Sequence, residues 1–559
     1  MITPIQRPSR PIASSLALLS LLSIAACGGG GVGGEPPKQA LNLSQVNLNC
    51  VQQPGEACSN VQATVMLNAD VTDQRPLWEE KPAAAGSKVF EGAKPIKQAD
   101  GSWIMDFSVR QGLAQGTYTG TVDFSVAVSP FPGTPNYQPR TASYSIVVAG
   151  LKGQLNPLQA LAGAGDWEGT NGNAAHTGLV PVSLDASKFS RRWTWEYDGG
   201  DKIYSVSQVV AANGLVYLAV EQGVADAPWS VNYTYTNTLM ALSEQDSTLQ
   251  WRTVQTSSNG FSAPGVAGQR LVMAEPKNVY TFDAISGANL AAVKQPQTVG
   301  SPLNSSAQIS PTLASGNAYI GASNSVTGVD VATAQNLWSG SLGLPILTSV
   351  TDWTPVVNAG SVYSNTAGTL RAFDRASGTQ QWSLAVPGQV LGGLNKSSLR
   401  QAPVLPDDHT VLLLNQRPAA GLSADNSLSL VDTDSRQLRW SVNGQFTTQP
   451  VTGQGMVYVG NQATASLEAR SLATGAVVWS WPLSTVKEGR FGGDLIVTNN
   501  LLFIAGEKGT YALDLASQKV VWSFRIAGRL ALSRNGLLYI STVNDGGRGV
   551  ARLTAINLQ

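Results

Sequence analysis

The sequence has few of the side chains that most enzymes and metal sites use. Its 559 residues include two His and three Cys, and no two Cys are adjacent. Charged residues make up 13%, and 36 basic residues balance 36 acidic ones, so the net charge is zero. A neutral chain lacks the basic surface on which nucleic-acid binding depends. We therefore expect no nucleic-acid partner, and we predict neither a metal site nor a bound cofactor.

Common catalytic motifs are absent too. The chain contains no H-E-x-x-H, C-x-x-C, phosphate-binding loop or G-x-S-x-G. We interpret His176 as a hydrogen-bonded structural residue. His409 follows Asp407 and Asp408 in a predicted turn, where a solvated role is expected. These observations predict no catalytic residue and favour a protein that is not an enzyme.

The N-terminus has the pattern of an export signal. Arg7 and Arg10 precede a mostly apolar stretch, residues 12–26, that is shorter than the roughly 20 residues of a membrane-spanning helix. The sequence Ile-Ala-Ala-Cys ending at Cys27 resembles the bacterial lipobox, which implies cleavage after residue 26 and a lipid on Cys27. The alternative is an ordinary signal peptide with a nearby Cys. Gly28 resembles an outer-membrane address, which implies a lipid anchor on the periplasmic side of the outer membrane.

A small β domain is predicted next. Residues 27–40 are rich in Gly and Pro and form a predicted tether. Between residues 41 and 150, alternating apolar runs favour a β-sandwich that weakly resembles immunoglobulin-like modules. We expect a spacer role for it, and we expect Cys50 and Cys58 to pair in an oxidising compartment. The predicted strands span residues 42–51, 61–68, 103–109, 117–128 and 142–148.

The remainder of the chain, residues 151–559, repeats. Asp374 stands eight residues before Trp382, and the same frame recurs in eight units. Successive markers are roughly 40–60 residues apart, which is the period of a four-stranded propeller blade. The markers are Ser243, Asp283, Asp330, Asp374, Asp432, Ser471, Asp514 and Asn557.

The end of the last unit predicts how the ring closes. The chain stops two residues after Asn557, so this unit lacks an outer strand, whereas an unpaired one containing Trp193 and Trp195 lies upstream of the first unit. We therefore predict an all-β chain with an eight-bladed β-propeller closed by an N-terminal outer strand. The outer strands contain a series of Trp residues: Trp193, Trp195, Trp251, Trp338, Trp382, Trp440, Trp479 and Trp522.

The repeat, Ala-x-Asp-x-x-(Ser/Thr)-Gly-x-x-x-Trp, resembles that of the pyrroloquinoline quinone (PQQ) type propellers, as does the segment 167–178. The resemblance implies that the Trp series packs between neighbouring blades as part of the core. It also implies two kinds of function. Quinoprotein enzymes need clustered basic residues to hold the quinone tricarboxylate, and of the inner strands only the last offers one, Arg529. Arg400 and Arg490, which precede inner strands, are further candidates.

A lipid-anchored propeller of this type is similar to the BamB-like scaffold lipoproteins. This resemblance implies a non-enzymatic, monomeric outer-membrane lipoprotein that binds an envelope protein. The domain at 41–150 and insertions in blades one and five depart from the general pattern of that family. Two alternatives stay open: a PQQ-dependent or sugar-linked oxidoreductase using the propeller channel, and a module that binds an envelope polysaccharide.

The two insertions predict the face that carries the binding function. Both follow the second strand of their blade, at residues 221–237 and 415–426, and they are four blades apart. Loops of this class share one face with the links between blades, including residues 386–400 and 484–490. Aromatic and Arg side chains are favoured at interface cores. The candidate interaction residues are Trp229, Tyr233, Tyr235, Arg417 and Arg490; the alternative is that these loops fold over their own blades.

Overall fold

The chain folds almost entirely into β-strands. The computed structural model describes residues 39–52, 58, 61–67, 75–83, 88–98, 100–110, 113, 116–126, 137–148, 155–197, 205–225, 233–257, 261–275, 278–294, 310–322, 325–342, 354–366, 368–387, 402–416, 426–542 and 551–559. No helix in this described part of the chain is long and apolar enough to cross a membrane.

Two four-stranded sheets form the N-terminal domain, with strand orders β3-β10-β8-β5 and β2-β4-β7-β6. Apolar side chains from both sheets form its core, in which the rings of Trp78 and Phe107 lie 5.3 Å apart. Cys50 and Cys58 are joined in a disulfide. The strands are β1 (Gln39–Ala40), β2 (Asn42–Asn47), β3 (Asn49–Gln52), β4 (Gln62–Met66), β5 (Pro76–Pro82), β6 (Phe90–Lys97), β7 (Trp103–Val109), β8 (Gly116–Val126), β9 (Tyr137–Gln138) and β10 (Arg140–Val148).

One strand prediction in this domain is wrong. The single strand predicted at 42–51 is two strands, because β2 pairs with β4 in one sheet and β3 pairs with β10 in the other. The pairing with β4 is irregular between Ser44 and Asn47, and Gln45 has a positive φ of 49°. The chain then changes sheets at Leu48, which is buried in the core. Alternating polarity reports a strand but not a crossing between sheets.

The propeller domain contains eight sheets within its described residues. We number the blades by the chain order of their inner strands. Short 3-10 helices span Thr170–Gly172, Ala186–Lys188 and Leu483–Val486. The strands are β11 (Ser190–Glu196), β12 (Ser205–Val206), β13 (Val210–Ala212), β14 (Leu215–Ala225), β15 (Tyr233–Ser243), β16 (Leu249–Ser257), β17 (Gly265–Ala267), β18 (Arg270–Ala274), β19 (Asn278–Asp283), β20 (Asn289–Lys294), β21 (Thr312–Ala314), β22 (Asn317–Ala322), β23 (Ser325–Asp330), β24 (Gln335–Ser341), β25 (Val356–Val357), β26 (Ser361–Thr366), β27 (Thr369–Asp374), β28 (Gln380–Ala385), β29 (Val404–Asp407), β30 (Thr410–Gln416), β31 (Asn426–Asp432), β32 (Gln437–Gly444), β33 (Val451–Gly453), β34 (Met456–Asn461), β35 (Ser466–Ser471), β36 (Val477–Pro482), β37 (Phe491–Val497), β38 (Leu501–Gly506), β39 (Thr510–Asp514), β40 (Val520–Phe524), β41 (Arg529–Leu532), β42 (Leu537–Thr542) and β43 (Arg552–Asn557).

The sheets close into a ring. Their inner strands, β13, β17, β21, β25, β29, β33, β37 and β41, contact one another in that order, and β41 contacts β13. The last sheet has the order β11-β43-β42-β41, so a strand from the N-terminal end of the domain completes it. The predicted all-β fold and this mode of closure are confirmed. Closure leaves no inner strand at the end of an open array.

The marker residue of the repeat forms the turn between the third and fourth strands. In five blades the marker is an Asp whose Oδ1 accepts a hydrogen bond from the backbone N–H three residues later, at 2.7–2.8 Å. Such a side-chain turn fixes the hairpin. The pairing then shifts at the residue just before each Trp or its counterpart, so that one extra residue forms a β-bulge.

Several blade tryptophans reach across to the next blade. The indole N–H of Trp251, Trp338 and Trp440 donates to the backbone carbonyl oxygens of Ala284, Arg375 and Leu472, at 3.0, 3.0 and 2.8 Å. The ring of Trp193 does the same with Glu244 at 2.9 Å, which ties the closing strand to blade one. A glycine four residues after the marker lies beneath each of the first three rings: Gly287, Gly378 and Gly475.

Gly378→Ala tests how tightly blades three and four are packed. A Cβ at residue 378 would lie 2.4 Å from the Trp338 ring, whereas a Cβ at Gly455 would meet nothing within 4 Å. Both glycines have a positive φ, +70° and +73°, so backbone strain is matched. We expect Gly378→Ala to lower the free energy of unfolding by about 1–3 kcal/mol more than Gly455→Ala does, because of overpacking. Equal losses in denaturant unfolding would contradict the cross-blade packing.

Candidate functional site

A non-repetitive segment before the first blade fills one end of the central channel. Residues 167–180, here called the channel segment, include a turn of 3-10 helix whose residues Thr170, Asn171 and Gly172 are buried. The inner strand of a propeller blade is an edge strand. Its backbone N–H and C=O groups that face the channel therefore need partners other than a further strand. The channel segment supplies many of these partners.

The channel segment contacts the blades in turn. Backbone N–H groups of five inner strands donate to its carbonyl oxygens at 2.8–3.1 Å: Val266 to Glu168, Val357 to Ala174, Leu405 to Ala175, Thr452 to Thr177 and Val497 to Gly178. Trp167 and Ala211 of blade one exchange two such bonds at 2.9 Å. A single segment can bond to inner strands of blades one, two, four, five, six and seven only if it lies inside the ring.

His176 completes this arrangement at blades three and five. Its Nδ1 lies 3.0 Å from the carbonyl oxygen of Pro403, and its Nε2 lies 3.1 Å from Thr312 Oγ1. A carbonyl oxygen can only accept, so Nδ1 carries a proton. The ring is 1% exposed. The interpretation of His176 as a hydrogen-bonded structural residue is confirmed.

The contacts of His176 set two effects on its pKa against each other. Thr312 Oγ1 donates to the Pro355 carbonyl oxygen at 2.6 Å, so its single proton is not available to Nε2. A second proton on the imidazole would therefore complete a chain of three hydrogen bonds. Burial opposes this gain and lowers the pKa of His176 to about 4. The neutral form prevails at pH 7 because burying a charge costs more than one hydrogen bond returns.

Five inner strands are each preceded directly by a proline. Pro264, Pro311, Pro355, Pro403 and Pro450 each precede the first residue of a strand, where a missing N–H costs no ladder hydrogen bond. Three of their carbonyl oxygens accept hydrogen bonds from side chains, including Asn171 Nδ2 on Pro450 at 3.4 Å.

The channel wall does not fit a quinone tricarboxylate. Positions just before most inner strands carry uncharged side chains, and those of Gln208, Ser310 and Gln449 are buried, each with an oxygen that has no partner among the described residues. Arg529, 5% exposed on β41, is the one basic residue that the described inner strands carry other than at their exposed ends. Arg490 is exposed and Arg400 lies outside the described residues. Three carboxylates require a cluster of cations, which the described part of this wall does not provide.

Three of the five predicted interaction residues lie in the part of the chain that the structure describes. We call the face carrying the links between blades and the loops between second and third strands the link face, and the opposite one the hairpin face. Tyr233 and Tyr235 belong to β15, where they pair with Ala225 and Gly223 of β14. Arg490 is exposed just before β37. Trp229, Arg417 and the predicted lipid site Cys27 lie outside the described residues.

Two carboxylates that were not predicted have little exposure to solvent: Glu221 is buried and Glu168 is half-buried. Glu221 on β14 lies at the link-face end of blade one, 6% exposed, and its Oε2 accepts from the Phe261 N–H at 3.2 Å. Burial raises the pKa of Glu221 to about 7. In the channel segment, burial and the nearby Asp166 carboxylate raise the pKa of Glu168 to about 7, against the influence of Arg534. In sequence Glu221 stands as an isolated acidic residue, whereas Glu168 lies within the family-like segment 167–178, whose resemblance assigns it no role.

The described residues provide no cluster of three or more His, Cys, Asp or Glu side chains suited to a metal ion. The exposed pair of His409 Nδ1 and Asp434 Oδ2, 2.8 Å apart, lies on the hairpin face. It joins two turns of blade five, β29 to β30 and β31 to β32.

Known proteins resemble the repeat region of this chain. A family model, PQQ_2, described as outer membrane protein assembly factor BamB, matches residues 194–363 and 347–559. The tetrathionate hydrolase of Acidithiobacillus ferrooxidans is 22% identical over 449 residues, 69% of this chain and 86% of that protein. The structure of BamB from Moraxella catarrhalis covers 66% of this chain and 98% of its own, at 12% identity and a TM-score of 0.46. Hsv2 of Kluyveromyces lactis covers 54% of this chain and 99% of its own, at 10% identity and a TM-score of 0.33.

The pKa of His176 predicts a pH-dependent stability. The unfolded side chain binds a proton near pH 6.5 and the folded one only near pH 4, so its contribution is complete above pH 6.5 and is lost as the pH falls toward 4. Glu168 and Glu221 act in the opposite direction, so the effect must be read as a difference from His176→Gln. We expect the stability advantage of wild type to shrink by about 3 kcal/mol from pH 7.5 to pH 4. A difference that does not change with pH in denaturant unfolding would contradict this assignment.

Proposed function

The chain belongs to the PQQ_2 family, described as outer membrane protein assembly factor BamB, and on that premise we propose that it is a non-enzymatic envelope lipoprotein. Its propeller acts as a scaffold that binds a protein partner through the link face. The observation that carries the proposal is the channel segment. A propeller whose channel end is filled by its own chain presents its faces, rather than its axis, to a partner.

The two faces differ in what they can offer. On the hairpin face, the connections are tight turns; two residues separate β13 from β14, and two separate β33 from β34. On the link face, the loops between second and third strands have as few as two residues, but the links between blades have four to 18, and blades one and five carry insertions. Loops held by a rigid scaffold are the usual carriers of binding residues. The link face therefore has the variable surface that recognition of a specific partner requires.

A non-enzymatic role agrees with the chemistry of the channel. The wall lacks the cation cluster that a quinone needs. The family description names an assembly factor, while the weaker likeness is to a hydrolase at 22% identity. The buried carboxylate of Glu221 has a structural contact, because its Oε2 accepts a hydrogen bond from the Phe261 N–H. Consumption of tetrathionate by the purified chain, lost in Glu221→Gln, would overturn the non-enzymatic assignment.

The lipid anchor belongs to the same proposal and rests on the lipobox pattern that ends at Cys27. Several acyl chains would give stable membrane attachment, since each buried CH₂ contributes about 0.8 kcal/mol. We expect the wild-type chain to incorporate labelled palmitate and to sediment with outer membranes, and Cys27→Ser to do neither. Equal labelling of the two chains would contradict acylation at this residue.

Site-specific photo-cross-linking in intact cells tests the scaffold and its face together. A photoreactive amino acid is placed at Arg490 on the link face and, as the matched control, at His409, which is exposed on the hairpin face. Because a bound partner lies within reach of one face only, we expect a discrete adduct with an envelope protein from position 490 and none from position 409.

Two outcomes would contradict the proposal. Adducts of equal yield from both positions would mean non-specific contact, and no adduct from position 490 would remove the support for the link face. Substituting Trp229, Tyr233 and Tyr235 together by Ala should weaken the adduct from position 490 if the blade-one insertion contributes to binding. The expected change is a several-fold loss of adduct at unchanged protein level.

A further inference from the structure

One ion pair joins the N-terminal β-sandwich to the propeller. Glu91 Oε1 lies 2.6 Å from Nη2 of Arg552. Arg552 is the first residue of β43, at the link-face end of the closing blade, and its side chain is 11% exposed. From this contact we infer that the sandwich is docked on the closing blade and is not a freely tethered spacer.

Arg552 is also oriented by an ion pair within the propeller. It pairs across the strands with Glu196 of β11, and Glu196 Oε1 accepts from its Nε and Nη2 at 3.0 and 2.7 Å. Two donors on one carboxylate fix the plane of the guanidinium group. The same guanidinium group thus bonds to the closing strand β11 through Glu196 and to the sandwich through Glu91.

The sandwich presents Glu91 with equal definition. β6 is the edge strand of its sheet, and its pairing with β7 shifts between Phe90 and Gly92, so Glu91 is the extra residue of a β-bulge. Bulges at sheet edges redirect a side chain. The backbone beside it is anchored by Glu80, 5% exposed, whose two carboxylate oxygens accept from the N–H groups of Val89 and Phe90 at 2.7 and 3.1 Å.

The pair of Arg552 and Glu196 occurs only in the closing blade, which contacts the sandwich. At the position of Arg552, five residues before the marker, the other seven repeats have small or amide side chains: Thr238, Asn278, Ser325, Thr369, Ser427, Ser466 and Gly509. At the position of Glu196 they have no acidic residue: Val254, Lys294, Ser341, Ala385, Asn443, Pro482 and Arg525. The repeat itself therefore does not require this Arg and Glu. The dock places the sandwich at the margin of the link face.

Carbodiimide cross-linking of the full chain tests the dock. In Arg552→Lys, the new amine can form an amide bond with a carboxylate that it contacts, with loss of water to the carbodiimide. We expect peptides joined between residue 552 and Glu91, together with joins to Glu196 as an internal positive control. The join to Glu91 should disappear with Glu91→Gln and persist with Glu79→Gln, a matched loss of charge at an exposed position on β5.

The salt dependence of the cross-link and the reactivity of Glu91 give two further tests of the ion pair. The join to Glu91 should weaken between about 0.1 M and 1 M salt, where the Debye length falls from about 10 to about 3 Å. Joins to Glu196 without joins to Glu91 would overturn the docking. A second readout is the rate at which carbodiimide and glycine ethyl ester modify Glu91. This rate should be several-fold higher in Arg552→Gln than in the unsubstituted chain, while the rate at Glu79 stays constant. An unchanged rate at Glu91 would equally overturn it.

Discussion

The fold depends on satisfying the inner edge of a closed ring. Each blade ends at the axis in a strand of two to seven residues whose channel-facing N–H and C=O groups have no further strand to pair with. The channel segment meets this need for most blades with backbone groups of its own. Because one short stretch of chain bonds to blades on opposite sides of the ring, these hydrogen bonds stabilise the closed ring.

This constraint also separates the functions that the propeller can support. A channel filled at one end by Trp167, His176 and their neighbours, with Arg529 as the one basic residue on the described inner strands, is poorly suited to an anionic cofactor. The hairpin face is built from short turns fixed by Asp side chains. The link face alone combines long connections with an exposed basic residue, Arg490. The sandwich, at Glu91, lies beside the same face. A partner that binds there would meet both domains.

The repeats could be predicted from sequence because each blade repeats a local device. The Asp marker makes its turn with residues two and three positions away, and the bulge aligns the Trp at a constant offset, so a linear spacing reports the fold. Strand β11 was predictable for the same reason, since Trp193 occupies the place of the missing outer Trp. The exchange of sheets at Leu48 was not predictable, because alternation looks the same on both sides of it.

The candidate site was much less predictable. The channel segment bonds mainly through its backbone, which leaves no pattern of side chains, and its partners are spread from Ala211 to Val497. Glu91 and Arg552 are 461 positions apart and meet only because β11 closes the ring at the blade containing β43. Trp229 and Arg417 were proposed from loop position alone and lie outside the described residues. Local spacing predicts turns and blades, whereas contacts across the axis depend on the completed ring.

The most direct test is amide hydrogen exchange at the inner strands. The N–H groups of Val266, Val357, Leu405, Thr452 and Val497 should exchange as slowly as those of second strands such as Val216, that is, only when the ring unfolds. Rapid exchange at these five amides, with the second strands still protected, would contradict the placement of the channel segment.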